Sequence, residues 1–263
     1  MSNRRNKVVR PMTMEQQQKE AEISAMLCDA EKSAVVQILS EDRSSTGLMH
    51  VLNNATGFAE AMAVKFRNPR TPKVDCKEGC NWCCYQTVPV TAPEAFTIAG
   101  FIRSTGDQSA DASVHAKLLE VKEQTHNLTP RERTKRHIPC AFLTEGRCSI
   151  YPVRPLSCAE FTSMDVNDCK RGYRVGFKPK GIIHEKARMV TFYAIRQGML
   201  EGLREALPGS DAGHYELVAA VIAAMPEDAG ERWIAGEKLF AGAALTVDGP
   251  ALTEAKDKPA SDQ

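Results

Sequence analysis

The chain has 263 residues, of which 43% are hydrophobic and 25% are charged, and its formal net charge is +1. These values are typical of a globular protein with one large domain or two small ones. Because the net charge is close to zero, we expect neither nucleic acid nor an anionic membrane as a partner. No apolar run is long enough to span a bilayer and the polar N-terminus lacks a signal region, so we expect a cytoplasmic protein.

The beginning of the chain predicts a helix behind a flexible basic arm. Residues 1–12 form the arm, and Thr13 is placed to cap a helix that runs to about Ser40. The spacing of its apolar residues predicts one buried stripe, made of Ile23, Met26, Leu27, Ala30, Ala34 and Ile38. Cys28 lies in this helix and is interpreted as a small apolar side chain.

A second helical pattern runs over residues 47–66. Pro69 and Pro72 then exclude a helix, so this stretch is interpreted as a connector. The predicted N-terminal helical region therefore spans residues 13–66.

Four cysteines follow within nine residues, in the stretch CKEGCNWCC that begins at Cys76. Disulfide frameworks are typical of small secreted domains, whereas clustered thiols in the cytosol are more often metal ligands or redox groups. Thiolates packed this closely repel one another unless a cation neutralises them, and zinc, iron–sulfur clusters and copper(I) all prefer sulfur. The eight candidate metal ligands are Cys76, Cys80, Cys83, Cys84, Cys140, Cys148, Cys158 and Cys169.

The spacing of the first four thiols favours a helical turn that brings Cys76 and Cys80 onto one face with either Cys83 or Cys84, although Gly79 loosens such a turn. The adjacent residues Cys83 and Cys84 must point in different directions. They therefore serve more naturally as ligands of two metals, or of two corners of a polynuclear cluster.

Helical patterns continue after the cysteines. Thr91 and Glu94 have the spacing of a capping box, which predicts a helix through Ile102 that ends at Gly106. Residues 108–127 predict another helix. The polar and basic stretch TPRERTKRH is interpreted as a solvated surface loop rather than a phosphate-binding segment.

The stretch IPCAFLTEGRCSIYP predicts a β-hairpin with its turn at Glu145 and Gly146, so that Cys140 and Cys148 flank the turn. The next stretch, RPLSCAEF, predicts a short helix, and Cys158 and Cys169 follow at spacings typical of a loop. Two or three helices are predicted over residues 184–241, with the run HYELVAAVIAAMP in the core.

These motifs resemble the YkgJ-type cysteine cluster family, a zinc- or iron-chelating domain with the pattern C-x-x-C-x-x-C-C followed by C-x-F-L, C-x-I-Y and R-P-x-x-C. Here the matching stretches are CKEGCNWCC and CAFLTEGRCSIYPVRPLSC, and the resemblance covers about residues 73–170. It implies a bound metal ion or cofactor, held by the seven cysteines of the motif. The residues depart from the pattern in two places, with three residues between Cys76 and Cys80 and with Ala159 where the family often has arginine.

Three residues near the motif are less certain candidates for metal ligands. Cys169 lies beyond the core of the motif and is a less certain ligand. His137 and His184 are interpreted as packing or surface residues, with substitution for a sulfur ligand as the alternative.

Arg154 is expected to pair with the anionic cluster or to form a surface ion pair, and Trp82, Phe142 and Tyr151 are expected to form an apolar shell around the metal site.

We therefore predict a mainly α fold with a small irregular or hairpin element that carries the metal site. The predicted regions after the cysteine domain are the C-terminal helices at 184–246, packed on that domain, and a disordered tail at 247–263. The principal hypothesis is a metal-binding protein that holds an iron–sulfur cluster or zinc, with iron–sulfur favoured because vicinal cysteines and a surplus over four favour polynuclear binding.

The alternative is an iron–sulfur-dependent redox or protein-modifying enzyme, since the flagellin lysine methylase has a similar cysteine pattern. A third hypothesis is a structural zinc site in an adaptor. A closed, sulfur-saturated site would favour a structural or carrier function, whereas an adjacent cleft with other polar groups would favour an enzyme.

Overall fold

The structure is a computed structural model that describes residues 12–105, 108–177 and 181–245. About 62% of it is helical, and the described residues form ten α-helices and only small two-stranded sheets, which confirms the predicted mainly α class. The helices are α1 (Met14–Glu41), α2 (Ser45–Phe66), α3 (Ala92–Thr105), α4 (Gln108–Thr125), α5 (Pro130–Lys135), α6 (Leu156–Glu160), α7 (Val166–Val175), α8 (Lys186–Ala206), α9 (Leu217–Ala224) and α10 (Ala229–Ile234).

Helix α1 begins where the sequence predicts, with Thr13 and Gln16 in a reciprocal capping box. Its predicted apolar stripe is wrong in part, because Met26 is 52% exposed and Ala30 is also exposed. The buried residues instead recur at every fourth position and are Leu27, Glu31, Val35 and Leu39. Because the buried residues are spaced strictly four apart, the buried face of α1 is narrow, and Glu31 occupies one of its positions.

Helix α8 packs along both α1 and α2. Two glycines of α8 make this close approach possible. A Cβ atom on Gly198 would lie 2.2 Å from the carbonyl oxygen of Cys28, and one on Gly202 would lie 2.6 Å from Cβ of Val35. The N-terminal helices and α8 therefore form one apolar core despite lying far apart in sequence.

A second helical layer consists of α3, α4 and α9, with α3 also packed on α2. Here β1 (Pro89–Val90) pairs antiparallel with β4 (Tyr215–Glu216) and connects the segment after the first four cysteines to the C-terminal helices. The apolar run that contains α9 is buried as predicted, with Leu217, Val218, Ala220, Val221 and Ala224 in the core.

The predicted surface loop at TPRERTKRH is wrong. Residues Pro130–Lys135 form α5, which begins with a capping box between Thr129 and Glu132. Arg133 is only 3% exposed and forms an ion pair with Glu216 (3.0 Å). The sequence suggested a solvated stretch because Glu216, the partner of Arg133, lies 83 residues away.

The predicted hairpin is confirmed. Strand β2 (Leu143–Thr144) pairs antiparallel with β3 (Arg147–Cys148), with Leu143 opposite Cys148. The two turn residues both have positive φ, +49° at Glu145 and +78° at Gly146, as a tight two-residue hairpin turn requires.

No helix in the described part of the chain combines the length and apolar character needed to cross a membrane. The predicted arm, except for Met12, the predicted helix end at Gly106 and the predicted tail lie outside the described residues.

Candidate metal centre

The first four cysteines lie on a series of turns rather than on the helical turn that their spacing suggested. The N–H of Cys80 donates to the Lys77 carbonyl (3.0 Å), and that of Cys84 donates to the Asn81 carbonyl (3.0 Å). Gly79 adopts φ +83°, which is incompatible with an α-helix. Successive turns change the direction of the chain, so these thiols approach different parts of the protein.

The start of this segment, at Cys76, packs against the residues that lead into α7. The N–H of Asp75 donates to the Ser163 carbonyl (2.8 Å), and the N–H of Ser163 donates to Sγ of Cys76 (3.1 Å). The Asp75 carboxylate also accepts from the N–H of Val166 (3.0 Å) at the first turn of α7. Cys169, which was expected in a loop, lies within α7 and is buried.

Ser163 is a residue of this site that the sequence pattern did not identify. It is 1% exposed, and its hydroxyl forms a hydrogen bond with Cys169 that lowers the pKa of that thiol, opposing the larger effect of burial. It therefore lies between Cys76 and Cys169. A serine before an Asp cap gives no signal in sequence, because its function depends on a contact across 87 residues.

The end of the segment, at Cys84, packs against the hairpin. The N–H of Cys140 donates to the Cys84 carbonyl (2.7 Å), and the Asn81 side chain donates to the Gly146 carbonyl (3.1 Å) in the hairpin turn. Cys148 lies on β3, and Cys158 lies on α6, which follows the hairpin after a single 3-10 turn.

Burial strongly disfavours free thiolates here. It raises the pKa of Cys140 to about 11, and the charge of Cys148 acts in the same direction. Burial also raises the pKa of Cys158 well above its usual range, with further contributions from Cys140, Cys83 and Cys148. A bound cation would remove this cost, because metal coordination deprotonates thiols and neutralises their charge.

Cys83 and Cys84 share a hydrogen bond between their side chains. The Cys84 thiol donates, which lowers the pKa of Cys83 and raises that of Cys84. The Arg154 guanidinium stacks 4.4 Å from the centroid of the Tyr151 ring, and its charge lowers the pKa of both Cys83 and Cys148. This position supports the expectation that Arg154 pairs with the anionic cysteine cluster rather than forming a surface ion pair.

The donor set of these turns fits zinc or an iron–sulfur cluster by its chemistry, since the thiol is the side chain that these metals prefer. All nine cysteines are free of disulfides. As the side chains stand, no three His, Cys, Asp or Glu residues of the described ranges are placed to hold a metal ion. The hydrogen bonds nevertheless bring Cys84 next to Cys140 and Cys76 next to Ser163.

The two histidines both donate to backbone carbonyls. A ring nitrogen of His137, Nε2, donates to Tyr173 (2.7 Å), and Nδ1 of His184 donates to Thr162 (2.6 Å). Burial lowers the pKa of His184, and its hydrogen bond to the Thr162 carbonyl opposes that effect. The apolar shell is formed in part, since Phe142 is buried whereas Trp82 and Tyr151 are half-buried.

An open cleft of about 250 Å³ lies beside the cysteines. Cys83, Cys158 and His184 lie on its wall together with an ion pair between Arg196 and Glu160 (2.8 Å). Burial raises the pKa of Glu160, and Arg196 opposes that effect. The cleft thus combines two thiols with polar groups that are not cysteines.

Glu94 connects the helical layer to the cysteine-rich part of the chain. It is 1% exposed and accepts from the N–H and the hydroxyl of Thr91 (2.6 and 2.7 Å), so the carboxylate half of the predicted capping box is formed. Its other oxygen accepts from the N–H of Leu156 (2.7 Å) at the start of α6. This second contact fixes the helix that carries Cys158.

Residues 75–179 match the model of the CxxCxxCC family, described as "Putative zinc- or iron-chelating domain". This part of the chain, less than half of its length, is similar to that family, in agreement with the resemblance of the cysteine motifs, and the match supports a metal ion as partner. The match includes Cys169 and extends through α7 to residue 179, nine residues beyond the range 73–170 that the resemblance covers. No curated protein matches the chain. No solved structure matches it either.

Proposed function

We propose that the protein is a cytoplasmic metal-binding protein whose CxxCxxCC domain holds an iron–sulfur cluster, with zinc as the second candidate. What supports this proposal is that the turns at 76–84 form hydrogen bonds with the residues before α7 at one end and with the hairpin at the other, so that cysteine-bearing segments distant in sequence lie next to one another. Vicinal thiols and a surplus over four ligands favour a polynuclear cluster over one tetrahedral ion. Nine free cysteines are consistent with a reducing compartment.

The direct test is anaerobic purification of the full chain, followed by an absorption spectrum and elemental analysis of the same sample. Iron, acid-labile sulfide and a broad charge-transfer band at about 400 nm would support the iron–sulfur centre. Stoichiometric zinc in a colourless sample would favour the second candidate, since zinc has no redox chemistry. A protein that contains neither metal, and takes up neither on reconstitution, would refute the proposal.

A pair of variants tests the assignment of the ligands. Replacing both Cys83 and Cys84 with serine should release metal, because the two thiols lie among all the others. Cys28→Ala is the matched control and should retain the full metal content, since Cys28 packs in α1 against α8. Loss of metal from the control, or retention by the double variant, would contradict the assignment.

The cleft beside Cys83 and Cys158 favours a second candidate function, an iron–sulfur-dependent enzyme. In that function Arg196, Glu160 and His184 would orient a substrate next to the metal centre. Met189 also lines the cleft, so Met189→Trp should occlude it. If the centre has an open position, added cyanide should change the spectrum of the loaded wild-type protein and have less effect on this variant.

A further inference from the structure

Positive charge is concentrated where α5 meets α7. Arg131 and Lys135 are four residues apart in α5, and Lys170 and Arg174 are four residues apart in α7, so each pair lies on one face of its helix. Arg136 directly follows α5. Lys170 is half-buried and the other four side chains are exposed. We call these five residues the basic patch.

Packing between the two helices makes the basic patch one continuous surface. A Cβ atom on Gly176, the residue that caps the C-terminus of α7, would lie 3.0 Å from Cγ of Lys135. The ring of His137, just after α5, stacks on the ring of Tyr173 in α7 with 4.1 Å between their centroids. The cations of α5 and of α7 therefore face the same side of the protein.

The carboxylates of the same helices do not pair with the basic patch. Glu132 accepts from the N–H and the hydroxyl of Thr129 in the cap of α5 (2.8 and 2.7 Å), and Asp168 pairs with Arg171. Within residues 12–105, 108–177 and 181–245, no ion pair includes a cation of the patch. Its charge is therefore available to an external anion.

Aromatic rings border the basic patch. The stretch TPRERTKRH contains no Trp, Tyr or Phe, but the fold places Trp82 and Tyr85 beside it. Their ring centroids lie 5.6 and 4.7 Å from that of Tyr173, and Nζ of Lys170 lies 5.8 Å from the centroid of Trp82. All three rings are half-buried, so part of each is accessible. Single-stranded nucleic acids require this combination, because cations bind their phosphates and aromatic rings stack on their bases.

We infer that this surface binds single-stranded nucleic acid, with phosphates on the basic patch and a base stacked on Trp82. The inference goes beyond the proposed function and does not depend on which metal is bound. The expectation of no nucleic-acid partner came from the net charge, which averages over the whole chain and does not report a local excess of cations. An acidic protein would use the cations but would have no need of the aromatic rings.

Fluorescence anisotropy of labelled thymidine and uridine oligonucleotides of about twelve nucleotides tests the inference on the full chain, purified anaerobically. Lys135→Gln/Arg174→Gln should weaken binding on the order of tenfold and reduce the slope of log K against log salt by about 1.4. The matched control, Lys19→Gln/Lys65→Gln, removes the same charge from exposed positions of α1 and α2 and should change neither value. Absence of binding to both oligonucleotides, or equal losses in the two double variants, would overturn the inference.

Tryptophan fluorescence tests the stacking separately. The chain has two tryptophans, and because Trp233 is fully buried, quenching by a bound oligonucleotide reports on Trp82. Quenching should occur in the wild-type protein and disappear in Trp82→Phe, which retains a ring and should still bind the oligonucleotide. Poly-glutamate, a polyanion without bases, should bind more weakly and without quenching. Equal affinity for poly-glutamate, or no quenching by a bound oligonucleotide, would refute nucleic acid as the partner.

Discussion

The α1–α2–α8 core and the cysteine-rich domain are stabilised in different ways. The core has long capped helices, an apolar face on each and glycines where α8 approaches α1. The cysteine-rich part of the chain also contains the longer helices α3 and α4, but its thiol-bearing stretches consist of turns, a four-residue sheet and the short helices α6 and α7, which individual hydrogen bonds connect across long separations in sequence. We therefore expect apolar burial to stabilise the core, whereas the turns that carry the thiols should depend on the proposed metal for much of their stability.

Metal removal should have the largest effect and should be confined to one region. Metal binding to structural thiol sites contributes on the order of 10 kcal/mol, so a chelator should abolish protection of the turns at 76–84 and of the hairpin. Hydrogen exchange with mass spectrometry, with and without the chelator, measures this per segment. Equal loss of protection in α1, α2 and α8 would show that the two regions do not differ in this way.

The core should be most sensitive where α8 approaches α1. Gly198→Ala should destabilise the protein by about 3 kcal/mol, because its Cβ would overlap the Cys28 carbonyl and force the helices apart. The matched control is Gly57→Ala in α2, where no atom lies within 4 Å of the added Cβ, and helix propensity predicts a gain of up to about 1 kcal/mol. Urea denaturation of both variants tests whether the loss of stability comes from the close approach of α8 to α1 or from the replacement of a glycine as such.

The buried Glu31 gives the core a pH dependence. One of its oxygens accepts from Asn54 (3.0 Å), the other has no partner, and burial raises its pKa to about 7 from an ordinary value of 4.5. The folded state thus binds this proton more tightly than the unfolded chain. Its contribution to stability is present below about pH 4.5 and is lost as the pH rises through 7, by about 3 kcal/mol in all.

Glu31→Gln should therefore stabilise the protein by about 3 kcal/mol at pH 8 and have little effect near pH 4. Thermal unfolding at the two pH values, or urea titration, measures this difference. The control is Glu22→Gln on the exposed side of α1, which should have the same small effect at both pH values. An equal response of the two variants would mean that Glu31 is not desolvated.

The smallest expected effect lies at the junction of the two regions. Glu94→Ala would leave the buried N–H groups of Thr91 and Leu156 without acceptors, a loss of about 2 kcal/mol. It should also weaken metal retention, since α6 carries Cys158. Glu132→Ala removes the corresponding carboxylate from the exposed capping box of α5 and should cost less. Denaturation and metal content of the two variants test whether the buried cap couples the core to the metal site.

A feature of the structure was predictable from sequence when the residues that determine it lie close together in the chain. The cap at Thr13, the box at Thr91 and Glu94 and the hairpin turn at Glu145 and Gly146 depend on neighbours within about four residues, and each was predicted from sequence. The helix α5 was missed because burial of Arg133 depends on Glu216. The supposed helical turn at Cys76–Cys84 was wrong because contacts with Ser163 and Cys140, rather than local spacing, set the path of the chain.

The sequence by itself determined the mainly α class, the similarity of residues 75–179 to the CxxCxxCC family and the identity of the thiols, because helix caps, apolar periodicity and cysteine spacing are local patterns. The tertiary structure decided which thiols lie together, that Ser163 lies between two of them and that a cleft borders Cys83 and Cys158. Those features depend on hydrogen bonds and packing between segments that lie 50 to 90 residues apart, which no local pattern encodes.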